Sequence, residues 1–206
     1  MRWGVVGLLV VAVSGAAISA AFDQRADQAI TRSRTTTATY ALYIWYRVTK
    51  PDQNPTEEWS AEFHKGTLHR VETAHVRVVA DCAAVMGTYL DVDSGETTTN
   101  AQAARVACGV SAAKPIRSTE WLGRSKSRFG PVDHIRVTDD ESIRAYDVAD
   151  NGALVGGSIA DPDGTVRLKL LQVEMLATLP GEDIFSKESL QRSVVPEQYK
   201  QRPTRR

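Results

Sequence analysis

Of the 206 residues only two are cysteine, acidic and basic side chains balance at 25 each, and beyond the opening segment no apolar run is long enough to cross a bilayer. Charge balance argues against a general nucleic-acid binder, which needs a basic excess, so no nucleic-acid partner is expected. Without a later apolar span, the mature form is not expected to cross a membrane. A G-x-S-x-G nucleophile elbow is missing: Gly109-Val110-Ser111 runs into two alanines, and Gly157-Ser158 lacks the flanking pattern. An H-E-x-x-H zinc site, a P-loop and a dinucleotide fingerprint are also missing, and no fixed-period repeat appears. The expectation is therefore a non-catalytic protein with no cofactor and no metal.

What is present begins with an export signal. Arg2 precedes the apolar stretch Val5 to Val13, and the small residues Ser14 to Ala21 follow it, with Ser19 and Ala21 suited to cleavage before Phe22. Residues 1 to 21 are read as a signal peptide, residues 22 to 195 as a single globular β-rich domain, and 196 to 206 as a basic C-terminal tail. About 185 residues remain after cleavage, enough for one domain with a real core. The expected location is periplasmic or secreted. In such an oxidising place the pair Cys82 and Cys108 is most simply a disulfide. A catalytic thiol would want a base and an electropositive setting, and Ala83-Ala84-Val85 supplies neither. As a zinc site two cysteines without close spacing are poor.

The rest of the chain alternates as strands do. A short helix is expected over Phe22 to Arg34, and a strand over Thr39 to Lys50 whose aromatics on both parities predict cover on both sides. Glu58 to His64 and Thr67 to Glu72 read as a hairpin around Gly66, followed by strands over His75 to Asp81 and Met86 to Val92, an antiparallel meander. Ala101 to Ala107 is helical in composition, Ala112 to Arg117 a loop. Three further strands are expected at Asp133 to Val137, Ser142 to Val148 and Leu154 to Ile159, and a long one over Thr165 to Ala177 after the turn Asp161-Pro162-Asp163-Gly164. Past Pro180 the chain reads as loop with one short helix.

Two polar groupings are set aside. His64, His69 and His75 lie close in sequence, but the parity of His64 and His69 places them on opposite sides of the hairpin, so solvent-facing or hydrogen-bonded roles are expected. Asp91 to Glu96 lacks the later ligands of a calcium loop and reads as a strand end and turn. The remaining candidate is apolar: Tyr40, Leu42, Ile44, Tyr46, Trp59, Phe63, Val76, Val78, Leu90, Leu168 and Leu170 are expected on one face of a curved sheet. A packed core and a cavity for an apolar ligand use the same residues.

The order of these features resembles the periplasmic lipoprotein-carrier superfamily, the LolA and LolB group with the related N-terminal domain of RseB. The stretches that carry the resemblance are Trp59 to Phe63 with Gly66, Leu68 to Glu72, Arg77 to Asp81, Tyr89 to Val92, Asp161 to Gly164 with Val166 to Val173, and Leu179-Pro180 to Phe185. Together they span most of the chain after the signal. The segment Thr97 to Arg117 and the cysteine pair depart from the group's pattern. The resemblance implies an α+β fold, a curved antiparallel sheet forming an unclosed barrel packed with one or two helices, whose cavity takes acyl chains. Two functions are carried forward: an exported carrier or sensor for a lipid or other apolar ligand, and a cell-envelope adaptor that binds another protein without a cavity.

Overall fold

The structure is a computed structural model that describes residues 22–111 and 114–201. The signal expected over residues 1 to 21 and the end of the basic tail, 202 to 206, lie outside these residues. In chain order the elements are α1 (Gln24–Thr35), β1 (Tyr40–Val48), β2 (Thr56–Lys65), β3 (Leu68–Thr73), β4 (Val76–Asp81), β5 (Met86–Asp91), β6 (Thr97–Asn100), α2 (Ala101–Ala107), β7 (Ser118–Ser127), β8 (Gly130–Thr138), β9 (Ile143–Ala149), β10 (Leu154–Ala160) and β11 (Val166–Leu176).

All eleven strands join one antiparallel sheet in the order β6-β5-β4-β3-β2-β1-β11-β10-β9-β8-β7. The chain starts at the centre, meanders outward to β6, crosses through α2 to the opposite edge at β7, and meanders back until β11 closes against β1. β6 and β7 do not pair, so the curved sheet stays unclosed, as expected. The central position of β1 explains its aromatics on both parities: every residue from Tyr40 to Ile44 is buried.

Both helices lie on one face of the sheet, called inner below. Asp23 caps α1 by accepting from the amides of Arg25 at 2.8 Å and Ala26 at 3.2 Å. Its small buried side chains Ala26 and Ala29, with Ile30, let it sit against Ile135, Val137 and Val148. Asn100 caps α2 through the amide of Ala103 at 2.9 Å. Ala103, Ala104 and Ala107 then pack on Val78 and Ala80. Gly87 makes that approach fit, since a Cβ there would stand 2.8 Å from the Ala104 amide nitrogen. Cys108, the C-cap of α2, is bonded to Cys82 at the end of β4, with Cα atoms 5.7 Å apart. The bond suits an oxidising compartment.

The outer face of β1 to β4 is covered by the chain's own C-terminal segment, which carries two short 3-10 helices, Glu188–Gln191 and Glu197–Tyr199, where one helix was expected. Ile184 and Val195 pack on Ala41, Tyr43, Ala61 and Phe63. Packing continues past residue 195: the ring of Tyr199 stacks on Tyr43 at 3.7 Å between centroids. Beneath the segment Arg70 and Glu72, both 0% exposed, form an ion pair at 2.9 Å. Arg70 also donates to the carbonyls of Ile184 and Arg192, each at 2.9 Å, and to Ser189 Oγ at 2.8 Å.

Two strands escaped the sequence pattern. β7 is an edge strand whose alternation is broken by a bulge between Trp121 and Gly123 and by exposed polar side chains. β6 is four exposed residues, paired to β5 just ahead of α2.

Candidate functional site

Paired residues of an antiparallel ladder point to the same side, so register sorts the expected apolar face into two. Tyr40, Leu42, Ile44 and Tyr46 stand opposite His64, Glu62, Ser60 and Glu58, whereas Ala41 pairs with Phe63 and Trp45 with Trp59. Trp59 and Phe63 therefore point outward, under the C-terminal segment. Leu90 pairs with Arg77 and also faces outward, against Leu190. Expecting these three on the same face as the others is corrected by the register. Tyr40 and Leu42 face inward but are buried against Val132 and Val173. Val76 and Val78 face inward beneath α2.

Ile44, Tyr46, Leu168 and Leu170 remain, and they come together. α1 packs on β7 to β9 and α2 on β3 to β6, which leaves the inner face of β1, β2, β10 and β11 between the helices. There a cleft of about 260 Å³ opens, close to the lower end of ligand-pocket sizes of roughly 300–1,000 Å³. Val71 from β3 and Leu154 and Ile159 from β10 complete its apolar wall. The cleft lies where β10 and β11 part: their ladder runs from Ala160 to Ser158, and Gly157 and Gly156 beyond it line the opening.

Its polar groups come from Tyr46, Ser60, Glu62, Thr73, Tyr146 and Ser158, of which Glu62 alone carries a charge. The Tyr46 hydroxyl donates to Glu58 at 3.0 Å, and burial, with that carboxylate, pushes its pKa up. Burial likewise raises the Tyr146 phenol. Both tyrosines thus stay neutral donors. Sequence reasoning missed Glu62 because Glu58, Ser60, Glu62 and His64 alternate as a solvent face would; the signal available was their pairing opposite the apolar Leu42 and Ile44.

Behind Glu62 the histidines correct an expectation. Gly66 and Thr67 form a two-residue turn, so residues equally distant from it lie directly opposite, and His64 pairs with His69 on the same face. Their ring centroids are 5.2 Å apart. His64 Nδ1 donates to the Ala38 carbonyl at 2.8 Å, and burial, followed by the nearby His69, lowers its pKa. His69 is 2% exposed, with Nε2 3.7 Å from Glu62 Oε2 and no hydrogen-bond partner on either ring nitrogen. His69 and the two cysteine sulfurs place their donor atoms within 4.8 Å of one another, but the sulfurs are bonded together and offer no thiolate to a metal. His75 stands apart, paired with Asp93 at 2.8 Å in an exposed turn.

No family model matches the sequence, and no curated protein matches it. Solved structures do resemble it in shape. An uncharacterized conserved protein from Thermus thermophilus has a TM-score of 0.49 at 10% identity, over 82% of this chain and 94% of that one. A LolA superfamily protein from Nitrosomonas europaea has a TM-score of 0.40 at 12% identity, over 80% and 99%. A domain described as an outer membrane lipoprotein-sorting protein, from Vibrio parahaemolyticus, has a TM-score of 0.38 at 10% identity, over 81% and 97%. At such values none of them assigns a function to this chain. Among the described residues no helix is long and apolar enough to cross a membrane.

Proposed function

We propose that this protein works outside the cytoplasm as a carrier or sensor, holding one amphiphilic lipid in the inner cleft and leaving it chemically unchanged. The observation behind this reading is the cleft itself: apolar side chains from β1, β3, β10 and β11 meet where neither helix fills the sheet. Glu62 narrows the ligand further. A carboxylate head about 4 Å from it would meet repulsion of about 4 kcal/mol at an effective dielectric constant of about 20. The favoured cargo has an apolar tail and a cationic or hydrogen-bond-donating head. The adaptor reading would use the free edge of β7, yet the bulge at Gly123 and the charges of Arg124 and Lys126 blunt that edge.

The test is competition for an apolar dye by decylamine and decanoate on the purified protein. Decylamine should bind at least about tenfold tighter, a difference of about 1.4 kcal/mol. Glu62→Gln should close that gap, and Leu170→Trp, which fills the cleft, should abolish binding of both. Dye and amine binding unchanged by Leu170→Trp would remove the cleft from consideration.

A further inference from the structure

On β7 to β9, away from the α1-covered side, three side chains form an arrangement that the cleft does not use. His134 pairs with Asp147 across β8 and β9, and Gly123 with His134 across β7 and β8, so Ser125 lies one diagonal step from His134 on the same face. Ser125 Oγ is 2.8 Å from His134 Nε2, and His134 Nδ1 is 2.6 Å from Asp147 Oδ1. An ionised carboxylate only accepts, so Nδ1 carries the hydrogen and Nε2 keeps its lone pair for the serine hydroxyl. That is the order of nucleophile, base and orienting acid required to activate a serine.

Two further observations fit a built site. Gly156 on β10 pairs with Asp147, and a Cβ at Gly156 would come within 2.1 Å of Asp147 Oδ2. The glycine therefore supplies the space in which the carboxylate sits. Asp147 also forms part of the wall of a second cleft, about 610 Å³, whose lining includes Phe129, Val155 and Leu171 but neither Ser125 nor His134. Access is open: Ser125 is exposed, and the His134 and Asp147 side chains are 34% and 41% exposed.

We propose that Ser125, His134 and Asp147 form an acyl-transfer site for carboxylic esters that approach the exposed Ser125 hydroxyl from solvent. Ser125 Oγ attacks the ester carbonyl carbon while its proton passes to His134 Nε2. The C–O bond to the alcohol then breaks, and the alcohol leaves with that proton. Water attacks the acyl-serine with His134 again as base, releasing the acid and restoring the hydroxyl. Asp147 stays ionised throughout and holds the imidazole in the required tautomer. None of the three residues lines the cleft beside Glu62, so the chemistry is independent of what that cleft holds.

The test uses the full protein with an alkyl fluorophosphonate, the adduct mapped by peptide mass spectrometry, and with 4-nitrophenyl butyrate. Label should appear on Ser125, and ester turnover should fall about 100-fold or more in Ser125→Ala and His134→Ala, the usual scale of a general base. Ser125→Cys supplies a readout that needs no substrate. Its alkylation by iodoacetamide at pH 7 should be at least about tenfold faster than in Ser125→Cys with His134→Ala, because the imidazole draws the thiol proton. Gly156→Ala, which displaces Asp147, should slow Ser125→Cys alkylation and shift its pH profile. Absence of label at Ser125, together with equal alkylation rates in the two cysteine variants, would reduce the three residues to a surface hydrogen-bond ladder and overturn the proposal.

Discussion

Glu62 on β2 and Glu72 on β3 stand on neighbouring strands and face opposite sides of the sheet. Outside, Glu72 accepts from Arg70 and from the Val194 amide at 3.2 Å, while the remaining Arg70 donors hold carbonyls of the C-terminal segment. Inside, Glu62 has a histidine nitrogen at 3.7 Å and open space beside it. One carboxylate is answered by its own chain, and the other faces a cleft. The difference teaches that strand patterning makes two apolar faces, and a long-range covering segment decides which becomes core.

The comparison breaks most sharply at Arg70. Arg70→Met leaves the buried Glu72 carboxylate only the more distant Arg77, at 3.7 Å, and frees the segment's carbonyls, so urea unfolding at pH 7 should show a loss of about 3 kcal/mol, the lower end for a broken buried pair. Adding Glu72→Gln should recover part of it. A loss under about 1 kcal/mol would mean that packing of Ile184 and Val195 seats the segment without the ion pair. On the inner side, Cys82→Ser with Cys108→Ser opens a crosslink spanning 26 residues, worth about 3–4 kcal/mol in the chain-entropy model. Hydrogen exchange should then rise over α2 and stay low around Leu190; equal loosening on both faces would merge the two regions into one cooperative unit.

The smallest effect is the pH response of the inner histidines. His64 has its pKa lowered in the fold by burial and by His69, so below its unfolded value of 6.5 the unfolded chain takes up a proton that the native state resists. Stability should be complete above that value and fall as pH drops through the folded pKa. Tyr40, His69, Glu62 and the Ala38 carbonyl face the ring. Melting curves from pH 8 to pH 5 should show a decline that is reduced in His64→Gln. Asp133 and Asp139, held below 3.8 mainly by hydrogen bonds and nearby arginines that outweigh burial, contribute only in a more acid window.

Much of the architecture was readable from local chemistry. Alternation and turn residues located β1 to β5 and β8 to β11, the alanine run located α2, and two cysteines in a chain read as exported gave the disulfide. Local chemistry failed where a residue's surroundings come from afar. β7 was missed because an edge strand with one buried side need not alternate. Trp59, Phe63 and Leu90 were grouped with the inner residues because composition cannot tell which parity faces which cover. The Ser125, His134 and Asp147 arrangement has no sequence motif, since its members meet across three strands.

By itself the sequence determined that there would be short antiparallel strands, a crosslink between strand and helix, and enough alternating apolar side chains to need cover on both sides. Those properties depend on neighbours a few residues apart. Only the tertiary structure decided that β11 closes against β1, that the C-terminal segment lies on the outer face, and that Glu62 is left beside open space. Such outcomes depend on contacts between residues about a hundred positions apart, whose loop-closure cost and packing gain no local window contains.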